Sequence, residues 1–209
     1  MTVIDIRGMI VPNDWADELR LIGWEVTAPK DVQLPADGSP LTVQINSVGG
    51  VVMAGAEIYS RLRDYAGQVT VDVLSMAASA ASLIAMAGDT IRMSPAAMMM
   101  IHNVSSTVSG DYHAMTHEVE VLKAYNQTIA NAYRLRTGMD EAQTLAMMDK
   151  ESWIPPQRAI QLGLADEIIG DPASVLSAQP SEEPDDAQAG AAALARARLN
   201  LIKLRGETR

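Results

Sequence analysis

A serine set among alanines is the first residue of this chain that could do chemistry. Ser79 lies within Ser75–Ser82 (SMAASAAS), with Ala77, Ala78, Ala80 and Ala81 around it. Small flanks let a backbone turn sharply and leave the hydroxyl reachable, as a nucleophile elbow requires. A helix starting behind it would stabilise developing negative charge. The same residues suit a helix cap or a small packing position, and both readings stand at this level. His102 follows the apolar run Ala97–Ile101 (AMMMI). At the end of a buried strand it is either a ring held firmly enough to act as a base or a structural histidine. Asn46–Gly50 (NSVGG) places two glycines where backbone N–H groups could approach an anion, or simply where the chain turns. It lacks the Lys-[Ser/Thr] of a P-loop and the spacing of GxGxxG, so it lends no support to nucleotide binding. Asp149 and Glu151 offer carboxylates in a turn before a short helix, Gln157–Leu162, with surface acids as the default reading. His113 and His117 stand i, i+4, but Glu118 is not placed as in HExxH and no third ligand is evident; they read as solvent-face residues and no metal is expected.

These groups would be positioned by alternating strands and helices. Val3–Ile10 and Leu41–Asn46 (LTVQIN) alternate apolar and polar residues, and Val69–Leu74 (VTVDVL) is a short β-branched run. Gly55–Tyr65 puts Ile58, Leu62 and Tyr65 on one helical face, and Ala80–Gly88 reads as an Ala-rich helix ending at glycine. The longest helix is predicted over Asp111–Arg136, with a stripe of Met115, Val119, Leu122, Ile129 and Tyr133. Asp111 would cap its start and Gly138 follows its end. Strands joined through helices imply crossover connections, hence a largely parallel sheet with helices outside.

Composition narrows the classes. With 209 residues, of which 48% are hydrophobic and 20% charged, the chain can bury a core. Cysteine is absent, which removes disulfide scaffolds, thiolate zinc sites and thiol nucleophiles together. Phenylalanine is absent too, so aliphatic residues, alanine and 13 methionines must fill the interior. A net charge of -10 argues against a nucleic-acid binder. The uncharged stretch Val73–Gly88 is shorter than the roughly 20 residues of a membrane span and dominated by Ala, Ser and Met. Neither a membrane segment nor a secretory signal is expected, and the reading is cytoplasmic. The body covers residues 1–170. Residues 171–190 carry five acidic groups, no basic ones and three prolines, the composition of a solvated linker. Residues 191–209 carry five basic groups and one acidic group, with Leu194, Ala197, Leu201 and Leu204 spaced for a short amphipathic helix or else a frayed tail.

Taken in order, the segments resemble the ClpP-like family of serine peptidases, the Clp protease proteolytic subunit and its phage relatives, over residues 40–170. The family's INSPGG stands here as Ile45–Gly50 with Val48 in place of proline; AAS stands as Ala77-Ala78-Ser79, MIH as Met100-Ile101-His102, and A-x-x-x-GL-x-D as Ala159–Asp166. The resemblance implies Ser79 as nucleophile, His102 as general base, and the N–H groups of Gly50 and Ala80 as the oxyanion hole. The family's acid lies four residues before a Ser-Ala pair, replaced here by Pro155-Pro156. An ungapped match assigns it to Glu151, with Asp149 as the alternative. A neutral His102 is required, so activity would rise through a pKa near about 6.5–7.

The implied architecture is α/β, a ClpP/crotonase-like repeated β-β-α spiral with a long protruding helix that makes ring-to-ring contacts. The implied function is a serine endopeptidase, acting on polypeptides without a cofactor inside a homo-oligomeric ring, with a stacked double ring as the further expectation. Among family members the chain looks most like phage prohead, or head maturation, proteases, with a capsid or scaffold protein as substrate. The extension 171–209 would address that partner. A degradative peptidase with an ATPase partner is the first alternative. A catalytically silent assembly protein and a crotonase-type acyl-CoA enzyme are others on related architecture; neither would need both Ser79 and His102.

Overall fold

The computed structural model describes residues 2–171; the linker and basic segment expected over 171–190 and 191–209 lie, apart from Asp171, outside the described residues. Three long parallel strands form the centre: β1 (Thr2–Ile10), β3 (Leu41–Gly50) and β4 (Val69–Ala78). They are joined by the expected crossovers, with a short helix α1 (Ala16–Leu21) and strand β2 (Val26–Thr27) after β1, and helix α2 (Val52–Arg63) after β3. Beyond β4 come α3 (Ala80–Ala85), β5 (Thr90–Met93), β6 (Met98–Ile101), α4 (Tyr112–Thr137), α5 (Glu141–Asp149), β7 (Ser152–Ile154), α6 (Pro156–Gln161) and β8 (Glu167–Ile168). Strand order is β2-β1-β3-β4-β5-β8, with β6 pairing β4 and β7 pairing β6. All pairs are parallel except β6–β7. This is the α/β class the alternation predicted.

The sheet forks at β4. Thr70–Val73 pair with β5, whereas Met76–Ala78 pair with β6. Two different strands therefore flank the two halves of β4, and its carboxyl end, the region where α/β sheets commonly bind ligands, lies beside β6. The core fills as the absence of phenylalanine requires. Ile6, Ile45, Val71, Val73, Met93, Met99 and Ile101 are fully buried on the strands, with Ile58 and Ile84 facing them from α2 and α3.

One charge sits inside this sheet. Asp72 is directly opposite Arg92 in the β4–β5 register, and its two oxygens accept from the guanidinium at 2.6 and 2.8 Å. Asp72 is nearly buried while Arg92 keeps one edge in water. Asp72→Ala should lower stability by about 2 kcal/mol, because it leaves a half-buried guanidinium without its acceptor. The expected readout is a lower urea midpoint at unchanged slope.

The long helix keeps its predicted ends. The Asp111 carboxylate accepts from the N–H groups of His113 and Ala114 at 3.0 and 3.1 Å, and Gly138 closes the helix at φ 73°. Its stripe is not one buried face, however. Ile129, Ala130, Ala132 and Tyr133 pack on the core, whereas Met115 and Val119 are about half exposed. Two further expectations change. The Ala-rich helix stops at Ala85, three residues before Gly88. Asp149 and Glu151 do not share one turn before a helix: Asp149 ends α5, Glu151 follows, and β7 intervenes before α6. Among the described residues no helix is long and apolar enough to cross a membrane.

Candidate active site

The site grows from the last residue of β4. Immediately after Ala78 the chain enters Ser79 at φ 55°, ψ −125°, a conformation that a side-chain-bearing residue rarely adopts. Such a residue costs roughly 1–3 kcal/mol and persists only where its surroundings over-determine it. Here they do. The Ser79 N–H donates to Met100 O at 2.9 Å, and Ser79 O accepts from the N–H groups of Ser82 and Leu83 and from the Ser82 hydroxyl at 2.7 Å. Close approach requires glycines against the elbow. A Cβ on Gly49 would lie 2.7 Å from Ser79 Cβ, and one on Gly55 would lie 2.9 Å from Ala80 Cβ. The elbow is wedged between the β3 turn and α2.

His102 comes from the neighbouring strand. Because β6 pairs with the end of β4 (Ala78 opposite Met100), the residue after Ile101 emerges beside the elbow. His102 Nε2 stands 2.7 Å from Ser79 Oγ. With the ring proton on Nδ1, Nε2 accepts the hydroxyl proton, the arrangement a serine nucleophile needs. Both residues are partly exposed, so a substrate can reach them.

The two carboxylates take different places. Asp149 Oδ1 accepts from the Asn103 side-chain amide at 2.7 Å. Glu151 is placed by the antiparallel β6–β7 ladder, in which Met99 faces Ile154, Met100 faces Trp153 and Ile101 faces Ser152. The ladder ends at that pair, and Glu151 lies in the turn just before β7 as His102 lies just after β6. Glu151 also has a positive φ of 53°, and its N–H donates to Met148 O at 3.1 Å, so its backbone is held in a second strained turn.

The glycine turn abuts the elbow. Gly49, at φ 92°, carries no Cβ because one would meet Ala78 O at 2.6 Å and Ala80 N at 3.0 Å. Its own N–H is taken by Ser47 Oγ at 3.0 Å, and that hydroxyl donates to Gly8 O. Val51 N–H donates to Ile10 O, towards β1. Ala80 stands at the first turn of α3, where N–H groups have no intrahelical acceptor. The arrangement brings a hydroxyl and an imidazole into hydrogen-bond contact at a strand-to-helix turn with a glycine turn packed against it, a pair suited to acyl transfer.

His113 and His117 are elsewhere, on the exposed part of α4, with the His113 ring 3.9 Å from that of Tyr112. Among the described residues no group of three or more His, Asp or Glu is placed to hold a metal ion. Sequence reasoning passed over Ser82, which it treated as part of an alanine-rich run, and Tyr133, which it counted only as core. Their hydroxyls stand 2.8 Å apart beneath the elbow, and 51 residues of separation left no local signal.

Comparison with known proteins identifies the family. The Clp protease family model matches residues 32–172. The chain is 29% identical over 131 residues to the ATP-dependent Clp protease proteolytic subunit of Deinococcus radiodurans, covering 62% of this chain and 64% of that protein, just under two thirds of its length. It is 29% identical over 143 residues to the ATP-dependent Clp protease proteolytic subunit 1 of Chlamydia muridarum (66% of this chain, 74% of that protein) and of Protochlamydia amoebophila (66% and 69%). The matched span holds the glycine turn, the elbow, the histidine strand and the acidic turn in one piece, and on that ground the chain belongs to the Clp protease family.

Proposed function

We propose that this protein is a serine endopeptidase in which Ser79, His102 and Glu151 form the triad and the Gly50 and Ala80 N–H groups form the oxyanion hole. The observation that carries the reading is the 2.7 Å contact between Ser79 Oγ and His102 Nε2 at a strained strand-to-helix turn. Ser79 attacks a peptide carbonyl while His102 takes its proton. The carbonyl oxygen becomes an anion and is received by the two backbone donors, each worth on the order of 10²–10³ in rate. His102 then protonates the leaving amine, and Glu151 stabilises the imidazolium between these steps. Water repeats the sequence against the acyl-enzyme. The protein is proposed to work as a cytoplasmic homo-oligomeric ring on polypeptide chains.

The substrate reading rests on the resemblance to phage head maturation proteases, with the extension as the part proposed to address the partner. A linker with five acidic groups and a segment with five basic groups follow the peptidase body, a layout suited to recruiting a capsid or scaffold protein during phage head maturation. A second reading is favoured by the names of the relatives, whose own activity is described as ATP-dependent: a degradative peptidase fed by an ATPase. A catalytically silent role is disfavoured by the contact between Ser79 and His102. Co-expression with candidate capsid and scaffold proteins, followed by mass spectrometry, tests the first reading. Defined cleavage sites in those proteins, absent with Ser79→Ala, are expected. Intact capsid and scaffold proteins, together with degradation of unfolded chains only when an ATPase is supplied, would transfer the assignment to the second.

A further inference from the structure

Beneath the elbow lies a hydroxyl relay that the mechanism above does not use. Ser82 is fully buried on α3, and Tyr133, on α4, is 1% exposed. Ser82 Oγ lies 2.7 Å from Ser79 O and 2.8 Å from the Tyr133 hydroxyl. The proton order follows from the acceptors. A carbonyl oxygen can only accept, so the single Ser82 proton goes to Ser79 O, and Tyr133 must donate to Ser82. Burial pushes the Tyr133 pKa up to about 12, partly offset by the Ser82 hydrogen bond, so the phenol keeps the proton it donates throughout the neutral range.

Ser79 O belongs to the same peptide unit as the Ala80 N–H. That unit is planar, and its C=O and N–H bonds point in opposite directions. Whatever fixes the direction of Ser79 O therefore fixes the direction of the Ala80 N–H, the proposed oxyanion donor. Ser82 and Leu83 N–H groups also reach Ser79 O, at 3.0 and 3.2 Å, but as longer helix-start contacts. The Ser82 hydroxyl is the shortest of the three. A donor on the carbonyl also polarises the peptide and strengthens its N–H as a donor in turn.

We infer that Tyr133 and Ser82 are positioning residues for the oxyanion hole: Tyr133 orients the Ser82 hydroxyl, which sets and polarises the Ser79–Ala80 peptide so that its N–H meets the developing oxyanion. The inference rests on the assignment of Ser79 as nucleophile. Neither side chain touches substrate. Their effect falls on the acyl-transfer transition state rather than on substrate binding, and the proton affinity of His102 is left alone.

The test uses the full chain and four variants: Ser82→Ala, Tyr133→Phe, the double variant, and Tyr65→Phe. Tyr65 also donates its hydroxyl to a backbone carbonyl, Ser39 O at 2.6 Å, but far from the elbow. Kinetics on a short fluorogenic peptide, the rate of Ser79 labelling by a fluorophosphonate, and thermal melts are read side by side. Misaligning one oxyanion donor should cost less than deleting it. Ser82→Ala should lower kcat about tenfold to thirtyfold, and Tyr133→Phe about threefold to tenfold, with KM within about twofold and the pH midpoint unmoved. Labelling rates should fall in the same proportion. Because Tyr133 acts through Ser82, the double variant should be no slower than Ser82→Ala, the non-additivity of coupled sites. Tyr65→Phe should keep wild-type kcat.

A purely structural role predicts the opposite pattern, with lower melting temperatures but unchanged kcat per labelled site, and that result would overturn the inference. Independent, multiplicative losses in the double variant would overturn the relay order. If Ser82→Ala fails to fold, Tyr133→Phe, which keeps the ring, decides alone: unchanged kcat and labelling rate would refute the relay. A wild-type protein that hydrolyses peptide without labelling at Ser79 would instead overturn the nucleophile assignment, and the relay with it.

Discussion

Ser79→Ala is expected to lower peptide hydrolysis by about 10⁴–10⁶-fold and to abolish fluorophosphonate labelling, while the protein still folds. In the proposed mechanism His102 is itself the base, and the chain has no cysteine to replace the hydroxyl. Folding should survive because alanine inherits both the backbone strain and the clamp: the N–H to Met100 O and the three contacts on residue 79's carbonyl involve no part of the Ser79 side chain. A glycine at the same position would relieve the positive φ of 55° and should be more stable than the alanine by about 1 kcal/mol, though equally inactive. That comparison separates the cost of the elbow from the chemistry it serves. The measurement is kcat on a fluorogenic peptide alongside a thermal melt. Activity of Ser79→Ala within about tenfold of wild type would remove Ser79 from the mechanism.

Glu151→Gln should cost about 10²–10⁴ in kcat, and Asp149→Asn should cost little. The preference for Glu151 follows the ungapped match to the family, and the Asp149 carboxylate is engaged with the Asn103 amide. An amide at position 151 could still accept one N–H, but it would neither choose the tautomer that frees Nε2 nor stabilise the imidazolium. The loss should therefore appear in kcat rather than KM. If Asp149→Asn were the damaging change, the acid would be reassigned. Two small effects would reduce the triad to a Ser79–His102 dyad.

Much of this was legible along the chain. LTVQIN and VTVDVL reported their strands because alternation and β-branching are local properties. The alanines around Ser79 announced a sharp turn, and Asp111 and Gly138 marked the ends of α4 because caps act over three or four residues. The order of the glycine turn, serine, histidine and acidic segment pointed to one candidate site along the chain.

The tertiary structure decided what depends on neighbours distant in sequence. Strand β7 has three residues, too few to complete two periods of alternation, and runs directly into two prolines, so only its pairing with β6 reveals it. The stripe on α4 showed which residues share a face but not how far the core extends beneath it, so the exposure of Met115 and Val119 had no local signature. Ser82 and Tyr133 each read as ordinary small or core residues. Only packing α3 against α4 brings their hydroxyls to 2.8 Å. Local composition sets which conformations a segment favours, whereas a hydrogen bond spanning 51 residues exists only once the fold has closed around it.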